Sequence, residues 1–97
     1  MRFEWSESKR VTNLIKHGID FLDAVCAFQD RMLVEVDGRF DYGETRHRGI
    51  GIVSGRVVVV VWTVRDGTVR FISARRANAK ERTRDQTSTV YGRASGL

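Results

Sequence analysis

Three short segments hold most of the groups that could do chemistry near neutral pH. Lys16-His17 closes an amphipathic stretch just before Gly18. Glu44-Thr45-Arg46 follows Gly43, and Arg75-Arg76 stands where an alternating run gives way to Asn78-Ala79-Lys80-Glu81. An imidazole in the last turn of a helix can shuttle a proton, and the helix dipole favours its cationic form, which raises its pKa. The plainer role for Lys16 and His17 is to satisfy the last carbonyls of that helix. Two guanidiniums beside the free N–H groups of a helix N-terminus form a phosphate pocket, and fixed cationic donors are often the largest catalytic contribution in phosphoryl chemistry. The plainer role for Arg75 and Arg76 is to pair with acids such as Glu44 and Asp41. His47 is a lone imidazole, a residue more often at the surface than in a catalytic site.

Other chemistries find no support. His17, His47 and Cys26 lack the spacing of metal ligands, and Cys26 falls in an amphipathic helix as a small core residue. There is no phosphate-binding Walker loop, and Gly49-Ile50-Gly51 is too short and wrongly placed for a dinucleotide site. No Ser or Cys nucleophile has its partners. The sequence calls for no metal and no cofactor.

Charge is informative once it is located. The 97-residue chain carries 17 Lys+Arg against 12 Asp+Glu. Residues 65–84 hold seven basic and two acidic side chains, whereas the basic and acidic groups of 1–64 and of 85–97 cancel. Arg outnumbers Lys 14 to 3, and the planar guanidinium fork suits phosphate contacts and base stacking. A basic block of this kind favours a polyanionic partner. Length and apolar content allow one small domain, a lone Cys suits a reducing compartment, and no apolar run is long enough to span a membrane. The residues after Met1 do not form the apolar region of a signal peptide. The expectation is a single-domain cytoplasmic protein, with one domain over 1–87 and a frayed tail over 88–97.

The elements that must position these groups can be written down. Phe3-Glu4-Trp5 alternates as a first strand. Ser6 caps a helix running to His17, with Val11, Leu14 and Ile15 as its apolar stripe, and Gly18 ends it. Asp20 caps a second helix in which Phe21, Ala24, Val25 and Phe28 share a face. Strands follow at 32–36, 47–53, 56–65 and 68–74, with Asp37-Gly38 a turn, 40–46 a loop, and Ser54-Gly55 and Asp66-Gly67 hairpin turns. Asn78 to Glu81 is a capping box that opens a last helix to about Thr87. The order predicts an α+β domain, two N-terminal helices packed on a mostly antiparallel sheet of four to five strands, plus a C-terminal helix.

The hairpin turns also predict the sheet faces. Asp66-Gly67 pairs Val64 with Val69, Trp62 with Phe71, Val60 with Ser73 and Val58 with Arg75. Ser54-Gly55 pairs Val53 with Arg56 and His47 with Trp62. One face then carries Ile50, Ile52, Val57, Val59, Val61, Ile72 and Ala74, a core for the two N-terminal helices to cover, with Arg48 and Arg70 at its rim. The other carries His47, Gly49, Gly51, Val53, Arg56, Val58, Val60, Trp62, Phe71, Ser73 and Arg75. On this reading it is an open binding face, with Trp62 and Phe71 to stack bases and Arg56 and Arg75 to meet phosphates.

Several segments together resemble one family. Phe3-Glu4-Trp5, the run from Asn13 to Phe21, the run from Asp41 to Arg46, and Ile72-Ser73-Ala74-Arg75-Arg76-Ala77 with Glu81-Arg82 resemble BrnT-type toxins of bacterial toxin–antitoxin modules, over roughly residues 2–85 and in the right order. The Lys-His-Gly helix end together with the Ile-Ser-Ala-Arg-Arg strand end is the specific part. The resemblance implies a small RelE-like ribonuclease that cuts RNA without a metal and inhibits translation. It implies neutralisation by a BrnA-type ribbon-helix-helix antitoxin, with operator DNA bound only through the complex. It places function on Lys16, His17, Glu44, Arg46, Arg75 and Arg76. Residue 47 is more often aromatic or apolar in the family, which argues against His47 as a catalyst.

The basic block and the resemblance both point to one reaction. RNA is cut when its 2′-hydroxyl attacks the adjacent phosphate, which needs a base, an acid and cations over the developing charge. Arg75 and Arg76 are expected on the phosphate, and His17 or Glu44 in proton transfer. Lys16, Arg46, Arg56 and Arg82 are expected along the RNA backbone, with Trp62 and Phe71 under its bases. The alternatives are a non-catalytic nucleic-acid-binding module and a protein-interaction module.

Overall fold

Strand, two helices, four strands and a last helix follow one another in the predicted order, and the computed structural model describes residues 1–29, 31–37 and 43–87. The elements are β1 (Arg2–Glu4), α1 (Glu7–His17), α2 (Phe21–Ala24) running into a 3-10 turn (Val25–Phe28), β2 (Met32–Val36), β3 (His47–Val53), β4 (Arg56–Arg65), β5 (Thr68–Arg76) and α3 (Ala79–Thr87). Ser6 accepts the Lys9 N–H at the start of α1, Asp20 accepts the Leu22 N–H at the start of α2, and Gly18 ends α1 at φ +72° with its N–H on the Leu14 carbonyl. Gly38 of the Asp37-Gly38 turn, part of the 40–46 loop and the 88–97 tail lie outside the described residues.

One five-stranded sheet runs in the order β1-β5-β4-β3-β2. It is antiparallel except where β1 lies parallel to β5, Phe3 opposite Val69. Both hairpins have the expected register at their turns: Val53 faces Arg56 and His47 faces Trp62, while Val64 faces Val69 and Trp62 faces Phe71. Beyond Trp62 the second hairpin departs from the expectation. Val61 faces Ser73, Val60 faces Ala74, Val59 faces Arg75 and Val58 faces Arg76, which leaves Ile72 as one extra residue on β5. A bulge of this kind turns every later side chain to the opposite face. Ser73 and Arg75 therefore leave the face of Trp62, and Ala74 joins it.

The faces are also covered the other way round. The N-terminal helices lie over the face predicted to be open, where Phe21, Ala24 and Ala27 join Val53, Val58, Val60, Trp62, Phe71 and Ala74 in the main core. Trp62 is 5% and Phe71 1% exposed, so neither ring is offered to a base. They belong to an aromatic cluster in which Phe71 stacks on Phe3 and Trp5, and Phe28 meets Trp62 edge-on. The glycines that suggested a trough for a ligand instead admit this packing. A Cβ at Gly49 would lie 2.6 Å from Met32 Sδ and 2.9 Å from the Trp62 ring, and one at Gly51 would lie 3.4 Å from the Ala27 Cβ. The face assigned to the N-terminal helices is covered where the chain enters α3: Leu33, Ile50, Val59 and Ala77 form a second, smaller core.

Helix α1 is rotated from its predicted orientation. Val11, Leu14 and Ile15, the expected core stripe, are exposed, whereas the polar Asn13 is buried. Cys26 is likewise exposed rather than in the core. The short α2 tightens into the 3-10 turn at Val25, which brings Ala24 and Ala27 onto the sheet and leaves Cys26 outside. The two rim arginines are paired as their position requires, Arg48 with Glu35 on the neighbouring strand and Arg70 with Glu4 across β1–β5.

The close approach at Gly49 leads to a stability prediction. Gly49→Ala drives a methyl group against a boxed-in indole, an overpacking that costs about 1–3 kcal/mol. Thermal unfolding of the variant is expected at a clearly lower temperature, with the fold retained by circular dichroism.

Candidate active site

The cationic groups gather at one end of the sheet. Four chain segments meet there: the C-terminus of α1, the β3–β4 turn, the end of β5 and the start of α3. The reason is local. Gly18 stops α1, Ser54 and Gly55 reverse the chain at positive φ, and the capping box turns it from β5 into α3. In that box the Glu81 N–H donates to Asn78 Oδ1 at 2.8 Å, and Glu81 Oε1 accepts the Asn78 N–H at 2.9 Å.

Three depressions lie along this end. The first, about 240 Å³, runs between α1 and β5 and is lined by Ser8, Lys9, Thr12, Asn13, Lys16, His17, Ile72 and Ser73. The second, about 190 Å³, lies beside Gly18 and Ile19, with Asp23, Ser54 and Arg56 on its walls. The third, about 290 Å³, brings together Arg56, Arg76 and Arg82 over Gly55, Val57 and Ala77. Arg56 belongs to both the second and the third. Arg76 faces Val58, two residues along β4 from Arg56, and the Ala77 N–H continues the ladder onto the Val57 carbonyl. Arg82 is tied back to the Ala77 carbonyl at 2.8 Å. Among the described residues, Lys16, Arg56 and Arg76 form no ion pair, so these cations face the depressions unneutralised.

His17 is half-buried at this end, and its pKa is lowered from the ordinary 6.5. Burial is the main cause, and the charges of Lys16 and Arg75 add to it. The direction is opposite to the one expected from a helix C-terminus. Loss of water and two cationic neighbours outweigh the dipole, because a terminal dipole amounts to about half a charge. The shift favours the neutral imidazole, the form that can accept a proton.

The two adjacent arginines do not act on one anion as a pair. Consecutive strand residues point to opposite faces, and Arg75 shares its face with α3. Its guanidinium holds Glu81 through two bonds of 2.8 Å. Glu81 is buried, and that ion pair with the Asn78 N–H keeps its pKa down at about 2 despite desolvation. Arg75 is thus a structural cation that also bears on His17, while Arg76 joins Arg56 and Arg82.

Glu44 and Arg46 lie at the other end of the sheet. Glu44 pairs with Arg65 at 2.9 Å, and the Thr63 hydroxyl donates to the Thr45 carbonyl. Thr63 is four residues along β4 from Val59, the partner of Arg75, a separation of about 13 Å. Arg65 holds the Glu44 pKa below its ordinary value, so the carboxylate stays ionised and remote from His17. His47 stacks beside Trp62 at 5.7 Å, also towards that end. The residue that the sequence reading missed is Asn13, on the α1–β5 groove; Ser73, expected on the binding face beside Trp62, lines this groove instead. The only sequence signal for Asn13 is a polar residue inside an otherwise amphipathic helix.

The family model described as ribonuclease toxin, BrnT, of type II toxin-antitoxin system matches residues 5–81. The chain belongs to the BrnT family of ribonuclease toxins. The match spans α1 with Lys16 and His17, all of β2 to β5, and the capping box that holds Arg75. It thus covers the elements that build the cationic end of the sheet in this BrnT protein. No curated protein sequence matches the chain. Among the described residues no helix is long and apolar enough to cross a membrane.

The Arg75–Glu81 pair makes acid stability a direct test of this geometry. A carboxylate with a depressed folded pKa stabilises the fold above its unfolded value and loses that contribution as pH falls through the folded one. The window here runs from 4.5 down to about 2. The contribution is on the order of 2 kcal/mol, reduced from the full shift because Arg75 remains partly in water. Unfolding midpoints followed from pH 6 to 2 are expected to fall more steeply for the wild type than for Glu81→Gln, which lacks the titrating group.

Proposed function

We propose that the chain is a metal-independent endoribonuclease whose reacting centre is the Lys16–His17 end of the α1–β5 groove. The observation that carries this reading is a half-buried imidazole beside the Lys16 ammonium in the α1–β5 groove, with Arg56, Arg76 and Arg82 clustered at the same end of the sheet, in a chain of the ribonuclease toxin family. His17 accepts the proton of the RNA 2′-hydroxyl, and the 2′-oxygen attacks the adjacent phosphorus. The Lys16 ammonium and the field of Arg75 stabilise the charge that builds on the phosphorane. The P–O5′ bond then breaks, the 5′-oxygen takes a proton from solvent, and a 2′,3′-cyclic phosphate remains. Arg56, Arg76 and Arg82 hold the flanking backbone. Glu44 and Arg46 have no part in the proton transfer, and Trp62 and Phe71 have none in base stacking.

The wider reading follows the family. Residues 1–87 act as one RelE-like toxin domain in the cytoplasm, inhibiting translation until a BrnA-type antitoxin with a ribbon-helix-helix part neutralises it and carries the complex to operator DNA. The exposed Val11, Leu14 and Ile15 beside Lys16 support a protein partner, since a contiguous apolar stripe is normally covered.

Purified protein incubated with RNA in EDTA is expected to yield fragments ending in cyclic or 3′-phosphate. The rate should rise with pH as His17 loses its proton, reaching half its maximum below 6.5. His17→Ala should lower kcat by about 10²–10⁴-fold, the usual worth of a general base. Arg76→Ala and Arg56→Ala should weaken RNA binding and each reduce the slope of log K against log salt by about 1. Salt-dependent binding without cleavage by the wild type would establish the non-catalytic module instead.

A further inference from the structure

The α1–β5 groove depends on one buried side chain. β1 pairs with β5 only as far as Arg70, so the edge of β5 beyond that point has no neighbouring strand. Asn13 takes the place of one. Its Nδ2 donates to the Ala74 carbonyl at 2.8 Å, and its Oδ1 accepts the Ala74 N–H at 3.0 Å. The second Nδ2 hydrogen goes to the Ile19 carbonyl at 2.9 Å, just past the end of α1. These three hydrogen bonds use both N–H donors and the oxygen, so a single amide joins the helix end to the strand edge, and only 6% of the residue is exposed. The bulge at Ile72 brings Ala74 onto the face where this happens, one residue before Arg75. Asn13 lies one helical turn from His17, on the same side of α1.

We propose that Asn13 is a positioning residue: its bidentate bond to Ala74 clamps the C-terminus of α1 against β5 and sets His17 in the groove at a fixed distance from Arg75. This rests on the reading of His17 as the base and adds the device that holds it there. A buried amide satisfied on both sides keeps its place because any displacement leaves the Ala74 N–H and C=O orphaned, a cost near that of two buried hydrogen bonds. Among the described residues no carboxylate lines this groove; Asp23 lies in the second depression, and Glu81 is held on Arg75. The charged groups facing His17 are Lys16 from α1 and Arg75 from β5, with Lys9 a further two turns back along the groove. Releasing the clamp lets the end of α1 move off the strand, so that the imidazole regains water and moves away from Arg75.

The test is the titration of His17 by NMR in Asn13→Ala and Asn13→Leu, together with cleavage kinetics. The Leu variant retains the side-chain volume and removes only the hydrogen bonds, so it separates lost packing from the lost clamp. In both, the His17 midpoint is expected to rise towards 6.5, kcat to fall at least tenfold, and KM to stay within about threefold, because the arginines of the third depression are untouched. A role in stability alone would lower the unfolding temperature and leave the His17 midpoint where it is. A folded variant with either the wild-type midpoint or the wild-type kcat overturns the proposal. If the wild type cleaves no RNA, the ribonuclease reading fails by itself, and the His17 midpoint alone then decides whether Asn13 holds the groove.

Discussion

Ile72 has no partner across β4, and the arrangement of the cationic end follows from that extra residue. Up to Phe71, β5 alternates in step with the Asp66-Gly67 turn; after it, every side chain is turned over. The slip places Ala74 against Phe21 and the main core, sends Arg75 to the face of α3, and sends Arg76 towards Arg56. Without the bulge Arg75 would point into the aromatic core beside Val58, where a guanidinium has no partner and a large desolvation cost. The bulge is thus the local adjustment that lets one strand serve two cores and still end in cations.

Both faces of the sheet are buried, by different means. The N-terminal helices supply aromatic and small residues to one side, and glycines at 49 and 51 let them approach closely. The other side is closed by very little chain: Ala77, the first turn of α3 and the Arg75–Glu81 pair. Burying an acid next to aliphatic side chains is tolerable here because two charge-assisted bonds and the Asn78 N–H replace its water. The same pair immobilises Arg75, whose charge reaches His17 from the strand side. Packing, capping and electrostatics at this end are therefore coupled through Glu81.

The division of the candidate residues between the two ends of β4 has a functional consequence. An acid–base pair made of His17 and Glu44 would need both on one phosphate, and about 13 Å of strand separates their anchor points. The end that holds His17 is rich in cations, with Asp23 as a carboxylate in the middle depression. Such a surface suits a polyanion, and on the proposed reading the proton transfer falls to His17 alone. The Glu44–Arg65 pair instead ties the Gly43–Arg46 segment to the end of β4.

Local rules alone determined the order of elements, the caps at Ser6 and Asp20, the αL stop at Gly18, the two hairpin turns with their nearest pairs, and the Asn78–Glu81 capping box. Each depends on a few neighbouring residues, so each is legible without the rest of the chain. The basic block and the Lys-His and Arg-Arg dipeptides were legible for the same reason. Three things were decided only in the tertiary structure. The uninterrupted apolar run Val57–Val61 is compatible with burial on either face, so it cannot say which side the helices cover. The bulge has no signature in β5, because Ile72 fits either register and the choice is made by packing Phe71 and Ala74 on the same core. The orientation of α1 is the third: its apolar stripe points outward because a single buried amide on the strand edge, whose backbone groups had no other partner, outweighs three side chains left in water.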